Sequence, residues 1–403
     1  MKAVGVIVEY NPFHNGHALH LAESKQASGA DIIIAAMSGN FLQRGEPALI
    51  SKWARANMAL QAGVDIVFEL PYQYATQQAE IFAYGGVSLL TAASCESICF
   101  GSESGEINAF HHTYDFLVQH HSEFQANINQ YMQNGVSYPK AQALSFQDLI
   151  PHANMVDLSE PNNILGYQYL KAAKSLDVNV QILTVPRKSA GYHDEHFASS
   201  TIASATSIRT ALFSKNNMDE IAKYVPNTSY ELLRDYQQDF GLFHNWEHYW
   251  PYLKYQLLSS TPLELTEIYE IEEGIENRLL AHVGEADSFV DFMTRVKTKR
   301  YTWTRLQRMC LHILTNTKKS DMQVARQPVP YLRLLGMSEA GREYLRQHKK
   351  RFSIPVISKL SAYDGPGIDV DIRATKLYNM ILPIHAKQEF EETPIYLKKE
   401  ELT

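Results

Sequence analysis

Two histidines near the start of the chain have the residue type and spacing to assist chemistry at a phosphate group. His14 and His17 stand in the order His-Asn-Gly-His. Two imidazoles held beside an anion can donate hydrogen bonds to phosphoryl oxygens as negative charge develops on them. One preorganised donor of this kind typically contributes about 10²–10³ in rate. The pair therefore predicts a site that acts on a phosphate-containing substrate.

The flanking sequence predicts how these histidines are positioned. Val4–Val8 is an apolar, β-branched run typical of a buried strand, Asn11-Pro12 breaks it into a turn, and a helix begins at Gly16. A helix N-terminus favours an anion through its unpaired N–H groups and its dipole, and Gly16 lacks a Cβ that would obstruct a nucleotide. An isolated H-x-x-H would more often be loop and helix-cap residues, but this context favours function.

Further apolar runs alternate with helical patterns, which predicts a Rossmann-like α/β domain with a parallel sheet over residues 1–215. The predicted strands are Asp31–Met37, Val64–Leu70, Ser97–Phe100 and Val178–Val185. Ligands bind such sheets beyond the carboxyl ends of the strands, where the Ser38–Pro47 and Gly101–Gly105 loops follow. Residues 216–403 form a mostly α-helical C-terminal domain by pattern, including one helix at Leu263–Val283 and a short strand at Val329–Gly336.

A second polar run opens a predicted helix at Ala203–Arg209. The hydroxyls of Ser204 and Thr206 and the helix N–H groups could bind the β- and γ-phosphates of a nucleotide, and Arg209 could hold a phosphate bidentately. Taken alone, this run predicts an N-capped helix with a surface arginine. Together with the His14–His17 turn, it favours a phosphate site.

Composition describes a globular chain with an uneven charge. The net charge is −7, and three cysteines cannot form a disulfide framework, which favours a reducing cytosol. No signal peptide or membrane span is expected. Residues 294–351 carry fifteen Lys and Arg against three Asp and Glu, whereas the rest carries 22 and 41. This asymmetry indicates a polyanion-binding surface, although a salt-bridged helical surface would have the same composition.

Within that basic segment, cationic residues alternate with aromatic rings. Guanidinium groups suit RNA phosphates, and Tyr301 and Trp303 could stack on unpaired bases, although each ring could equally belong to the core. The predicted RNA-binding residues are Lys299, Arg300, Arg305 and Arg308.

Several nucleotide motifs are absent from the sequence. It has no GxxxxGK[ST] loop, no GxGxxG after the first strand and no KMSKS-like loop. The histidines lack metal-ligand spacing, so no metal ligands are predicted.

Asn11–His17 resembles the HxGH motif of the nucleotidyltransferase superfamily, and Ala203–Arg209 resembles its second signature, ISSTxIR. The longer Ile7–His20 run, followed by Ser38–Pro47, resembles the bacterial tRNA(Met) cytidine acetate ligases. This resemblance covers most of residues 1–210. It implies a cytoplasmic enzyme that uses ATP and acetate to form N4-acetylcytidine at the wobble position of elongator tRNA(Met), through an acetyl-adenylate. Mg²⁺ would arrive with ATP, and no membrane or obligatory protein partner is implied.

The resemblance also implies roles for individual residues. Catalytic roles fall to His14, His17 and Arg209, and Arg44 could receive acetate, although a structural ion pair is the more common role of an arginine in such a loop. The ATP-binding residues would be Ile7, Val8, Glu9, Tyr10, Asn11, Pro12, Phe13, His14, Asn15, Gly16, His17, Ala18, Leu19, His20, Gly101, Asn162, Arg187, Lys188, Ser204 and Thr206.

Two other functions stay open at this point. One is an adenylyltransferase acting on a small phosphorylated metabolite, which would not need a basic helical domain. The other is a non-catalytic RNA-binding module, against which the intact His14, Gly16, His17 and Arg209 argue.

Overall fold

The computed structural model describes residues 1–149, 154–187, 201–215, 218–383, 386–387 and 389–398. In these ranges one sheet runs through the molecule in the strand order β5-β4-β1-β2-β3-β6-β7, and β8 also pairs with β6. Its strands are β1 (Ala3–Val8), β2 (Ile32–Ser38), β3 (Ile66–Leu70), β4 (Ser97–Ser102), β5 (Gln181–Pro186), β6 (Leu332–Ser338), β7 (Val356–Ile357) and β8 (Ile395–Leu397).

The first five strands are parallel, as the sequence predicts. Every residue of β2 and β3 is buried, because helices cover both faces of the sheet. The helices between these strands, and the first helix after them, are α1 (Asn15–Ser28), α2 (Lys52–Gln61), α3 (Tyr72–Ala75), α4 (Ala79–Ala92), α5 (Ile107–Gln119), α6 (His121–Gln133), α7 (Tyr138–Asp148), α8 (Pro161–Ser175) and α9 (Ala205–Lys215).

Helices dominate the remaining described residues, which agrees with the predicted fold class. They are α10 (Asn227–Phe240), α11 (Trp246–Leu258), α12 (Pro262–Thr266), α13 (Ile275–Val283), α14 (Phe289–Val296), α15 (Trp303–Leu314), α16 (Glu339–His348) and α17 (Ile368–Asn379). Side chains from α11, α13, α14, α15 and α17 form an apolar core of their own.

The predicted strand at Val329–Gly336 has a larger role than its sequence indicates. It is observed as β6, and it pairs antiparallel with β3, placing Arg333 opposite Glu69. The sheet therefore crosses the predicted boundary at 215/216. The division of the chain into two domains there stays a prediction.

The predicted helix at Leu263–Val283 is wrong as a single element. It is observed as α12 and α13, separated by a turn in which Glu270 and Glu273 both have left-handed backbone angles, φ 61° and 62°. Gly274 has φ 82° and directly precedes α13. This turn holds three of the glutamates that contact the basic segment.

Candidate active site

The His-Asn-Gly-His turn forms the N-terminus of α1 beyond the end of β1. His14 caps the helix, because its Nδ1 accepts a hydrogen bond from the Gly16 N–H at 3.1 Å. In return, the His14 N–H donates to Nδ1 of His17 at 3.2 Å. The two rings stack with centroids 3.7 Å apart. The pair thus builds a reciprocal cap in which histidines replace the usual hydroxyl and carboxylate residues.

This hydrogen bonding decides which ring nitrogen carries the proton. Both Nδ1 atoms accept backbone N–H groups, so each neutral imidazole carries its hydrogen on Nε2. Burial, reinforced by the positive charges of Arg187 and Arg209, lowers the pKa of His14 to about 3. Burial also holds the pKa of His17 well below its ordinary value. Near neutral pH both rings are therefore neutral donors through Nε2.

Gly16 is required here by the histidine ring itself. A Cβ on Gly16 would lie 2.9 Å from Cε1 of His14, which is too close for the capped arrangement to persist. The sequence predicts that Gly16 leaves space for a nucleotide. The structure adds a second reason for glycine, because a side chain here would collide with the His14 ring.

Arg209 from α9 reaches the same turn. Its Nη1 donates to the Asn11 carbonyl at 2.8 Å, and its Nη2 lies 3.4 Å from a carboxylate oxygen of Glu46. The N-terminus of α9 is capped by Ser204, because the Ser207 N–H donates to Oγ of Ser204 at 3.0 Å. Thr206 lies beside Arg209, with 3.4 Å between Oγ1 and Nη2. The two predicted phosphate elements therefore lie together in the fold.

A second cluster forms at the ends of β4 and β5. Nη1 of Arg187 donates to Oδ1 of Asn162 at 3.1 Å, and the Arg187 side chain covers Gly101. Asn162 also donates to Glu103, which the sequence analysis did not single out. His20 lies nearby: burial, followed by the charge of Arg187, lowers its pKa to about 4. Its Nε2 is buried without a partner among the described residues.

The predicted ATP-binding residues differ in what they can offer a ligand. The side chains of Val8, Tyr10 and Phe13 are buried in the core, and the rings of Tyr10 and Phe13 pack against His17. Any ligand contact from these three residues would therefore involve the backbone. The side-chain amide of Asn15 already makes hydrogen bonds within the fold, because it donates to the carbonyls of Thr201 and Lys223. Lys188 lies outside the described residues.

The loop that carries Arg44 is placed by the C-terminal half of the chain. Nε2 of Gln307 donates to the Arg44 carbonyl at 2.9 Å, and Nε1 of Trp246 donates to the Gly45 carbonyl at 3.0 Å. On the other side, Glu9 accepts the Gln43 N–H at 2.8 Å, and burial raises the pKa of the Glu9 carboxyl. The Arg44 loop is thus held between the end of β1 and the helical core.

Arg55 is a further positioning residue that the sequence analysis missed. Its guanidinium is fully buried and donates to the carbonyls of Glu9 at 2.6 Å and Ser38 at 3.1 Å, and also to that of Gly39. It therefore ties together the backbone just beyond β1 and β2. No sequence signal marks it, since an arginine in a helix is ordinarily a surface residue.

The basic segment is matched by the acidic turn between α12 and α13. Arg300 pairs with Glu273 at 3.1 Å, Arg305 lies 3.9 Å from Glu272, and Arg308 pairs with Glu270 at 2.9 Å. Arg308 is itself buried against Glu270, a placement that suits support of the fold, and its predicted contact with RNA stays a prediction.

The rest of the basic segment is more accessible. Lys299 and Arg300 are exposed, and Trp303 is 37% exposed, whereas Tyr301 is buried and belongs to the core. Of the two rings considered for stacking, the fold leaves Trp303 available.

Two features are absent from the described part of the chain. No three His, Cys, Asp or Glu side chains there lie close enough together to hold a metal ion. None of the helices there combines the length and apolar composition that a membrane crossing requires.

A parallel sheet that presents a His-x-Gly-His helix cap at the end of its first strand, with an arginine from a later helix beside it, defines a nucleotidyltransferase of the HxGH class. Residues 1–393 match the family model described as HIGH Nucleotidyl Transferase.

Similar curated proteins all belong to one narrower family, as two of them illustrate. The tRNA(Met) cytidine acetate ligase of Lysinibacillus sphaericus is 48% identical over 94% of both chains. Its counterpart from Bacillus subtilis is 46% identical, covering 97% of this chain and 95% of the relative.

Two solved structures match the fold over nearly the whole chain. The apo crystal structure of Thermotoga maritima TmcAL superposes with a TM-score of 0.90 at 32% identity, covering 99% of this chain and all of the other. The same protein bound with alpha-thio ATP gives a TM-score of 0.88 at 31% identity, with the same coverage. The chain belongs to the tRNA(Met) cytidine acetate ligase family, which confirms the resemblance seen in the sequence.

Proposed function

We propose that this chain activates acetate with ATP and transfers the acetyl group to the wobble cytidine of elongator tRNA(Met). The observation that carries the proposal is the His14–His17 cap, which leaves two Nε2–H donors on rings that lie near the charge of Arg187 and, for His14, also near that of Arg209. Family membership supplies the substrates, since the relatives at 45–48% identity are named for this reaction. As a tRNA-modifying enzyme it would act in the cytoplasm.

In the first step, an acetate oxygen attacks the α-phosphorus of ATP in line. The bond from that phosphorus to the bridging oxygen breaks, and pyrophosphate leaves with its electron pair, so the products are acetyl-adenylate and pyrophosphate. His14 and His17 would donate through Nε2 to the phosphate oxygens, and Arg209 would neutralise the β- and γ-phosphates. Mg²⁺ enters as part of the MgATP substrate.

In the second step, the N4 amine of cytidine attacks the acetyl carbonyl carbon. The bond from this carbon to the phosphate oxygen breaks, AMP leaves as the anion, and the nitrogen releases one proton as the amide forms. The wobble base lies in a single-stranded loop, so extruding it into the site costs only a few kcal/mol, on the order expected for an unpaired base.

Substrate contacts follow from the arrangement of the site. Arg187, Asn162, Gly101 and His20 would hold the nucleotide at the ends of β4 and β5. Arg44 would receive the acetate carboxylate, since its loop is fixed beside the end of β1. Lys299, Arg300 and Arg305 would contact tRNA phosphates, and the two arginines would exchange their glutamate partners for them.

The test incubates the protein with ATP, labelled acetate and total bacterial tRNA. We expect acid-stable label in tRNA together with release of AMP and pyrophosphate. Pyrophosphate release on a small phosphorylated metabolite, without label in tRNA, would support the adenylyltransferase alternative. Absence of ATP consumption with every substrate would support the non-catalytic RNA-binding alternative.

A further inference from the structure

We propose that the outward face of α9 binds the pyrimidine base that accepts the acetyl group, and that the ring of Phe213 stacks on this base. The inference rests on the proposed function and adds the location of the RNA substrate. The surface shares Thr206 and Arg209 with the proposed phosphate site, and its other residues belong neither to that site nor to the basic segment.

The helix α9 has two chemically distinct faces. Ile208, Ala211 and Leu212 are buried against the sheet. The opposite face borders a shallow groove that is open to solvent. Its lining residues are Thr206, Arg209, Thr210, Phe213 and Ser214. Phe213 is 42% exposed in this groove, so the helix places a large aromatic ring on its polar side.

The position of this ring relates it to the catalytic turn. Phe213 follows Arg209 by four residues, which is about one helical turn or roughly 6 Å along the axis. Helical side chains point back toward the helix N-terminus, so the ring leans toward Arg209. Arg209 in turn donates to the Asn11 carbonyl beside the His14–His17 cap. A base stacked on Phe213 would therefore lie next to the place where acetyl-adenylate forms.

The chemistry of the groove suits a nucleobase in single-stranded RNA. An exposed ring offers a stacking surface for an unpaired base, and such stacking tolerates a solvent-facing site. Thr206 and Thr210 carry hydroxyls that can both donate to and accept from a base edge. Of the five lining residues none is acidic, and Arg209 is cationic, so the approach of a phosphodiester backbone is favoured.

The experiment separates the two chemical steps with the full-length protein. Exchange of label between pyrophosphate and ATP in the presence of acetate, without RNA, reports the first step. Transfer of labelled acetyl to tRNA reports the second. In Phe213→Ala we expect kcat/KM for transfer to fall about tenfold to a hundredfold, the range for loss of one stacked base, with the defect confined to the RNA step.

Matched variants identify the ring as the cause. Phe213→Trp should retain transfer because it keeps an aromatic surface, whereas Phe213→Leu should behave like Phe213→Ala. Val118→Ala serves as the control, since Val118 is 57% exposed on α5 and lies outside the groove. Melting curves of all variants check the fold.

Three outcomes overturn the inference. Unchanged transfer in Phe213→Ala would show that the ring does not hold the base. An equal loss in exchange and transfer would place Phe213 at the nucleotide or in the structural support of the site. Transfer restored by leucine would reduce the role of Phe213 to apolar contact. If the unmodified protein showed neither exchange nor transfer, the proposed function would fail and this inference with it.

Discussion

Nδ1 of His17 accepts the backbone N–H of His14, while Nδ1 of His14 accepts that of Gly16, which leaves both Nε2–H groups as donors. The Nδ1 atoms that cap the helix therefore also fix the tautomers that the proposed chemistry at phosphate needs. Because burial, together with the charge of Arg187 and, for His14, that of Arg209, lowers the pKa of both rings, this neutral state does not depend on pH near neutrality. The structural cap and the proposed catalytic donor pair are one feature in this protein.

Replacing His17 should separate these two roles. His17→Ala removes the Nε2 donor and should lower label incorporation by about 10² or more, with tRNA binding retained. It also leaves the His14 N–H without its acceptor, so a stability loss of about 1 kcal/mol should accompany it. His17→Asn can still accept the N–H through its side-chain oxygen, and should recover the stability without the turnover. Near-normal turnover in His17→Ala would show that this side chain has no catalytic role.

Gly16 should tolerate no side chain, for a reason internal to the turn. The Cβ of Gly16→Ala would lie 2.9 Å from the His14 ring, so the ring must move. Acetyl transfer should therefore fall about a hundredfold. Gly29→Ala is the control: it has φ 59° and no atom within 4 Å of an added Cβ. This control should lose about 1 kcal/mol of stability and keep its activity. Equal activity in the two variants would contradict the capped geometry.

His20 should make stability depend on pH. Its pKa is about 4 in the folded protein and 6.5 in the unfolded chain, so the unfolded state binds more protons between these values. The free energy of unfolding should therefore fall as the pH drops from about 6.5 to 4, by up to about 1.4 kcal/mol per pH unit from this group. Urea denaturation of His20→Phe should show a shallower slope than the unmodified protein across that range. Parallel slopes would mean that His20 titrates normally in the fold.

Arg305 and Arg308 should have opposite phenotypes despite lying three residues apart. Arg305→Ala removes a partly exposed cation, so tRNA affinity should fall and its log–log salt dependence should flatten by about one unit. Arg308→Ala leaves Glu270 mostly buried without its partner, which should cost about 2 kcal/mol of stability while the salt slope stays unchanged. Filter binding at several salt concentrations and thermal unfolding measure the two effects. A flattened salt slope in Arg308→Ala would show that Arg308 contacts an RNA phosphate.

The sequence by itself determined the parts of this protein that depend on local pattern. The apolar run before Asn11, the His-Asn-Gly-His spacing and the alternation of strands and helices were sufficient for the parallel sheet, the catalytic turn and the family. Such features repeat at short range, because strand and helix periodicity and helix caps involve residues close together in the chain.

Only the tertiary structure decided which distant residues meet. The pairing of β6 with β3, the burial of Arg55 and the match between Glu270–Glu273 and the basic segment all join residues that are far apart in the sequence. Charge counting marks Arg300, Arg305 and Arg308 alike, and it was the approach of an acidic turn that buried Arg308. The protonation of His14 and His17 was decided in the same way, since solvent exclusion and neighbouring charges set a pKa, and both depend on the completed fold.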